Sequence, residues 1–516
     1  MTALEERDYF TDHEILKDPY SFFEAVRAHG PVYQPPGRDY LIVTGFDEAL
    51  EVLKNNADFS AIIGLQGASA PLPFEPQGSD ITAQIEAHRD QILGGDLLVN
   101  YDDDLHTRMR SLLNKLFTPS RLKANEAFIQ SYSDEIARTI TAKGGCELIK
   151  EVATPFVTLV IADLLGVPAA DRQMFMDVIE AAPPPGSLDT GENDYSSPDH
   201  PLVVMGGYFA NYIQDRRDNP QDDILTEFAR STFPDGSVPD TIELVKMATF
   251  LFGAGQDTSA KLLGNSIRFI TDQPGLQDRL RADPSLIPQL LEEVLRLEGS
   301  TKQTARLARR DTKIGDLPVP AGTRILVALA AANRDPARWD NPGAFELDRP
   351  KIKEHVAFGR GKHVCAGAPL ARVEVRIILE KMLAYTSNID LDEAVHGPRG
   401  DRVLDFEPSF IIRGLSELHV KLSPAAGVDL TPASAEPAVK PQEKTASDYS
   451  TAKTRIGELL ANPMTLAVLD RHFPGMSQDK RLAMAKGMTL RSVQKFAPGQ
   501  FSDAALDAVD ADLAAI

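Results

Sequence analysis

Apolar residues recur at helical spacing through most of the first 422 positions. The clearest stretches are Ser131–Ala142, Pro155–Leu165, Ile242–Ile270 and Pro288–Leu297, where hydrophobic side chains fall three or four apart. Strand-like patches are few and short: Tyr40–Thr44 (YLIVT) before a glycine, and Arg324–Ala328 (RILVA) after Pro-Ala-Gly. This pattern predicts a mainly α fold with small β-sheets. The character changes after Leu422. Pro424–Asp448 holds four prolines and six alanines and no aromatic residue, the composition of a linker. Periodicity then returns in 451–516. Asn462-Pro463 reads as an N-cap followed by a first-turn proline, Ser502 as the cap of the last helix, and Gly487 as a stop for the helix before it. Leu506, Val509, Leu513 and Ile516 share one face of that last helix. The expected organisation is a body at 1–422, a linker at 423–450 and a small helical C-terminal module at 451–516.

Composition narrows the function classes. Among 516 residues there are only two cysteines, Cys146 and Cys365, too few for a disulfide scaffold, a four-cysteine zinc site or a cysteine-held iron–sulfur cluster. The net charge of −21 argues against a nucleic-acid partner. The tail holds 8 basic and 7 acidic residues, so the acidic balance lies in the body. The N-terminal MTALEERDYF is charged, without the apolar run of a signal peptide, and no stretch of 18 apolar residues occurs. A cytoplasmic protein with no membrane span is expected.

The most informative segment is Phe358-Gly359-Arg360-Gly361-Lys362-His363-Val364-Cys365-Ala366-Gly367, followed by the helical run Ala368–Leu379. A lone cysteine is usually a small buried hydrophobe, which is the reading for Cys146. Around Cys365, however, glycines permit close backbone approach to a flat ligand. The following helix N-terminus offers N–H groups and a dipole that favour thiolate.

F-G-x-G-x-H-x-C-x-G, then A-x-L-A-R-x-E, resembles the haem-binding loop of cytochrome P450, departing mildly at Ala366, where many members carry leucine. The resemblance spans roughly 15–422 and includes Asp18-Pro19-Tyr20, Leu165-Gly166-Val167-Pro168 and Asn333-Arg334-Asp335-Pro336. It implies a cytochrome P450 fold, with Cys365 as the iron ligand and Phe358, Gly359, His363 and Gly367 around the cofactor, haem b. His106 and Arg110, in H-x-x-x-R, and Arg306 would serve the haem propionates. Ala254-Gly255-Gln256-Asp257-Thr258, which alone reads as a buried helix with a tolerated glycine, resembles the oxygen-activating segment of the family's long helix. There the threonine hydroxyl opens the helix locally, Ala254 faces the haem, Thr258 hydrogen-bonds the reduced oxygen and Asp257 relays protons. Glu293-x-x-Arg296 and Arg349 resemble the family's structural glutamate–arginine set. The Pro183–Leu202 insert falls where members place a substrate lid.

The activity implied is monooxygenation of an apolar small molecule by O2, with two electrons from NAD(P)H delivered through separate proteins, a ferredoxin and its reductase. Terpenoid-, steroid- or other lipid-like molecules fit, as do aromatics. Family position makes Leu251, Phe252, Ala254, Lys302, Gln303, Thr304, Phe410 and Ile411 the candidate substrate pocket. Arg108, Lys115, Arg360, Lys362 and Arg372 would form a basic docking patch on the cysteine-loop side. A haem-thiolate sensor and a peroxide-driven enzyme are the alternatives, and neither needs the Asp257–Thr258 pair. The C-terminal module is expected to self-associate or bind a protein partner.

Overall fold

The computed structural model describes residues 3–180, 201–431, 449–476, 488–494 and 501–515. The expected stop at Gly487, the contribution of Ile516 and the insert up to residue 200 lie outside these. The chain divides into two compact units. One comprises residues up to 161 and 254–433; the other comprises 162–182, 192–253 and 434–516.

The described residues of the first unit hold three small sheets. The largest has the strand order β1-β2-β8-β5-β3, with β1 at Val32–Tyr33, β2 at Tyr40–Val43, β3 at Phe59–Ser60, β5 at Thr304–Ala308 and β8 at Arg324–Val327. β2 and β8 are buried throughout and pair in parallel, Tyr40 opposite Arg324, as their continuous apolar runs suggest. β4 (Gly145–Glu147), β10 (His419–Pro424) and β9 (Thr386–Leu391) form a second sheet, and β6 (Thr312–Ile314) with β7 (Leu317–Val319) a hairpin. Cys146 is buried in β4 opposite Val420, and burial pushes its thiol up to about 12, as befits a core cysteine.

Helices that position the site are α1 (Asp103–Leu116), α2 (Pro119–Lys143), α3 (Thr154–Leu164), α6 (Thr241–Asp272), α7 (Ile287–Glu298) and α8 (Ala368–Tyr385). Helix α2 begins twelve residues before its expected start, because Pro119 sits in its first turn ahead of a largely polar run that carries little periodicity. Residues beyond 422 still belong to this unit: β10 extends to Pro424, the Ala425 N–H donates to the Tyr385 carbonyl at 2.9 Å, and Arg138 donates to the Asp429 carbonyl.

The second unit contains α4 (Arg172–Glu180), α5 (Pro201–Asp218) and the C-terminal helices α9 (Ile456–Ala461), α10 (Pro463–His472), α11 (Leu490–Gln494) and α12 (Asp503–Leu513). The Asn462 side chain caps α10 and Ser502 caps α12, as expected. Ile456, Leu459, Leu469, Phe501, Leu506, Val509 and Leu513 pack into a core of their own. Arg455 joins Asp171 in an ion pair and lies over the rings of Tyr208 and Tyr212, at 5.5 and 5.3 Å. The Tyr212 hydroxyl donates to the same carboxylate at 2.6 Å.

Candidate active site

The cysteine loop is shaped by two left-handed glycines, Gly359 (φ +68°) and Gly361 (φ +75°). At Gly361 a Cβ would fall 2.4 Å from the Leu53 carbonyl oxygen, so only glycine fits. The Cys365 N–H donates to the Phe358 carbonyl at 2.9 Å and closes the loop, and α8 starts three residues on. Cys365 presents surface, yet the protein packed around it makes burial the largest influence on its thiol. Burial raises its pKa, opposed by the N–H groups of Gly367 and Ala368 and the guanidinium of Arg110. The expected pull of the helix terminus toward thiolate is present, in these N–H groups. Desolvation outweighs them, so the anion calls for a cation bound directly to sulfur.

Beside the loop, basic side chains converge. His106 on α1 and His363 have ring centroids 4.2 Å apart. Burial, then Arg110, Lys362 and Arg306, push His106 down to about 4. His363 is driven to about 2 by burial and by Arg306, His106, Arg110 and Lys362. Arg306, on β5, is buried and lowered to about 10 by burial, with Asp102 acting against that shift. It donates to Thr304 Oγ1 at 3.0 Å and the Ala305 carbonyl at 2.7 Å, while its buried Nε has no partner. Asp102 is itself engaged by Ser60 Oγ (2.5 Å) and the Ala61 N–H (3.0 Å). Arg110 gives Nη2 to the Val364 carbonyl at 2.7 Å. With both imidazoles held neutral, the positive charge here is that of Arg110 and Arg306, and the orphaned guanidinium nitrogen suits an anionic partner. A dicarboxylate such as haem, with its two propionates, meets both this cluster and the neighbouring sulfur, so the donor set fits that cofactor.

On α6 the Thr258 hydroxyl donates to the Ala254 carbonyl at 2.9 Å and lies 3.4 Å from that of Gly255. Ala254 is exposed and Thr258 half-buried. Helix α6 runs as one helix from Thr241 to Asp272, and the hydroxyl bonds back to carbonyls of its own preceding turn. The Thr258 carbonyl accepts from Ser300 Oγ at 2.6 Å. Next to it, Ser259 hydrogen-bonds Glu374 on α8, whose carboxyl is pushed up to about 8 by burial. Helix α8 thereby ties the cysteine loop to the Asp257–Thr258 turn. Asp257 lies 3.7 Å from Lys261 Nζ, and burial raises its pKa against the pull of that ammonium.

The glutamate–arginine set is assembled as its spacing suggests. Glu293 receives Arg296 at 2.9 and 2.7 Å and Arg349 Nε at 3.0 and 3.2 Å, all three side chains being buried. Arg296 also donates to the carbonyls of Asn333, Pro342 and Ala344. A neighbouring network was not legible as such. Glu292 accepts from Arg372 at 2.6 and 3.0 Å and meets His355 at 2.9 Å. Burial would raise this carboxyl, but His355 and Arg372 hold it near 2. Arg372, expected in the docking patch, is thus committed to Glu292 and lies 4.6 Å over the Phe358 ring.

The pocket candidates separate. In the first unit Ala254 is exposed, and Thr304, Phe410 and Ile411 are half-buried with surface to offer. Lys302 is not a lining residue here: its side chain is fully enclosed and its ammonium donates to the Leu16 carbonyl at 2.6 Å. Gln303 is equally enclosed, with both amide atoms unpartnered. In the second unit Leu251 is half-buried, while Phe252 is fully buried against Phe175, ring centroids 5.1 Å apart.

A fold of helices with small sheets, carrying a cysteine loop, a basic cluster and an Asp–Thr turn, defines a haem-thiolate type of enzyme. Comparison with known proteins agrees. The family model "Cytochrome P450" matches residues 204–387. The cytochrome P450 monooxygenase PikC of Streptomyces venezuelae is 31% identical over 414 residues, covering 79% of this chain and 92% of that protein. The substrate-free structure of Mycobacterium marinum CYP150A6 is 45% identical with a TM-score of 0.77, over 82% of this chain and all of that one. CYP109E1 of Bacillus megaterium in complex with corticosterone is 26% identical with a TM-score of 0.67, over 80% and 100%. The chain belongs to the cytochrome P450 family, O2-dependent monooxygenases that use haem b and externally supplied electrons. Among the described residues no helix is long and apolar enough to cross a membrane.

Proposed function

We propose that the protein hydroxylates an apolar small molecule: R–H, O2, two electrons and two protons yield R–OH and water. The observation that carries this reading is the cysteine loop beside Arg110, Arg306 and two neutral histidines, joined through Glu374 and Ser259 to the Asp257–Thr258 turn. Cys365 would be the iron ligand, within the shell of Phe358, Gly359 and Gly367. His106, Arg110, Arg306 and His363 would hold the propionates. Haem, when bound, supplies oxygen binding and O–O cleavage. The chain supplies the rest. Ala254 is small enough to leave space on α6. The Thr258 hydroxyl holds a proton at Oγ1, and Asp257 is the buried acid that renews it. Arg306, desolvated, holds a carboxylate more firmly than a surface arginine would.

Ala254, Phe410 and Ile411 give an apolar lining with Thr304 as one polar contact, which supports a steroid-, terpenoid- or other lipid-like substrate. The corticosterone complex of CYP109E1 points the same way. Electrons would come from NAD(P)H through a ferredoxin and its reductase in the cytoplasm, meeting the basic side chains near the cysteine loop. Replacing Thr258 by alanine should leave haem and substrate binding intact. It should cut product per NADH consumed on the order of 10²-fold, about 2.7 kcal/mol, with hydrogen peroxide formed instead. Product and peroxide are measured together against NADH; unchanged coupling would remove Thr258 from the chemistry and favour the peroxide-driven alternative.

The C-terminal helices, with a core of their own, would form a module distinct from the haem-binding machinery, one that self-associates or takes a protein partner. A chain ending at Thr431 should keep its haem spectrum and its coupled turnover with saturating redox partner, while losing any self-association seen by light scattering. Loss of haem from the shortened chain would assign the module to the catalytic fold.

A further inference from the structure

Lys261 is a buried lysine one turn beyond Thr258, and the reaction as derived so far gives it no task. Its stem lies against Gly414, where a Cβ would sit 2.1 Å from Lys261 Cδ, so the 406–415 hairpin is built to admit it. Its ammonium lies 3.7 Å from Asp257, forms an ion pair with Glu407 and donates to the Leu415 carbonyl at 3.3 Å. Two carboxyl groups therefore share one ammonium in a buried site. The second oxygen of each, Asp257 Oδ2 and Glu407 Oε2, is buried without a partner. Such a site carries one negative charge too many for a desolvated cluster, and one of the two carboxyls favours holding a proton.

We propose that Lys261 and Glu407 are positioning residues of the proton supply: they share charge with Asp257, so that Glu407 sets how readily Asp257 takes up a proton and passes it toward Thr258. This rests on the reading of Asp257 and Thr258 given above. The proton enters from solvent, binds an Asp257 carboxylate oxygen and leaves toward the Thr258 hydroxyl. Among the described residues, three other charged groups lie near the cluster. Asp405, two residues from Glu407, acts to raise it but is paired with Lys17 at 2.7 Å. Lys302 feels Glu407 but spends its ammonium on the Leu16 carbonyl, and Arg413 is bound to Glu298 at 2.8 Å. Burial raises both Asp257 and Glu407, Lys261 lowers both, and the Asp257 carboxylate raises Glu407; the shared Lys261 ammonium is what links Glu407 back to Asp257.

The signs differ between variants, which separates this role from a merely structural one. Glu407→Gln removes the competing charge and leaves the ammonium to Asp257, so Asp257 should titrate at lower pH. Lys261→Met removes the shared cation, so Asp257 should titrate at higher pH, and Lys261→Arg should restore it. Two readouts report this on the haem-loaded protein. One is the infrared band of protonated carboxyl groups against pH in the resting, substrate-free state, taking the part that vanishes in Asp257→Asn. The other is the pH profile of coupling, which should move in the same directions. Should Lys261→Met fail to fold, Glu407→Gln, which keeps the ion pair to Asp257, carries the test alone. Opposite shifts in the two variants support the proposal. Unmoved titration in Glu407→Gln overturns it while the acid–alcohol reading stands; unchanged coupling in Asp257→Asn overturns that reading and this proposal with it.

Discussion

Replacing Glu293 by alanine should leave little folded protein. The carboxylate is fully buried and receives two bonds from Arg296, two from Arg349 and one from the Glu346 N–H at 3.0 Å. Removing it leaves Arg296 inside the protein with only neutral carbonyls as partners, and Arg349 with carbonyls and the partly exposed Glu346 carboxylate at 3.5 Å. Breaking a buried pair from one side costs about 3–5 kcal/mol, a large share of the stability of a natural domain. Because Arg296 also gathers the carbonyls of Asn333, Pro342 and Ala344, the segment that leads toward the cysteine loop would lose its anchor. The expected result is a chemical-denaturation midpoint too low to measure, or haem-free protein on purification. Glu293→Gln keeps the shape and should be milder, retaining some haem. A variant with wild-type stability and haem content would show that the set is dispensable.

How much of this was legible depended on distance along the chain. The Glu293–Arg296 pair is local, three residues apart on one helix, and so stands out; Arg349 could be added only through the family pattern. The cysteine loop is contiguous, and its glycines carry their meaning in the sequence. Helix α6 was readable from periodicity, and so was the capping of α10 and α12 by Asn462 and Ser502. What could not be read were pairings between remote residues. Nothing local marks Glu407 as the partner of Lys261, nor Glu292 as the group that claims Arg372 from a supposed surface patch. Lys302 misled because family position says where a backbone runs, not where a long side chain finds its acceptor, here the Leu16 carbonyl. At Cys365 the pull of the helix terminus toward thiolate is visible in sequence, but the opposing desolvation belongs to the fold.

Replacing Cys365 by alanine should abolish oxygen activation outright. The chain has one other cysteine, and Cys146 is buried in β4 with its thiol held neutral by desolvation. The basic cluster of His106, Arg110, Arg306 and His363 remains in this variant, so some haem should still bind, held by its carboxylates alone and without turnover. Cys365→His should bind haem more firmly but in a different electronic state, because a neutral imidazole lacks the electron push of a thiolate. The most direct measurement of the central claim, a thiolate from Cys365 on the haem iron, is the spectrum of the reduced protein under carbon monoxide. The account predicts the red-shifted Soret band for which the family is named in the wild type and in Cys146→Ser, and its absence in Cys365→Ala and Cys365→His. A normal red-shifted band in Cys365→Ala would contradict it.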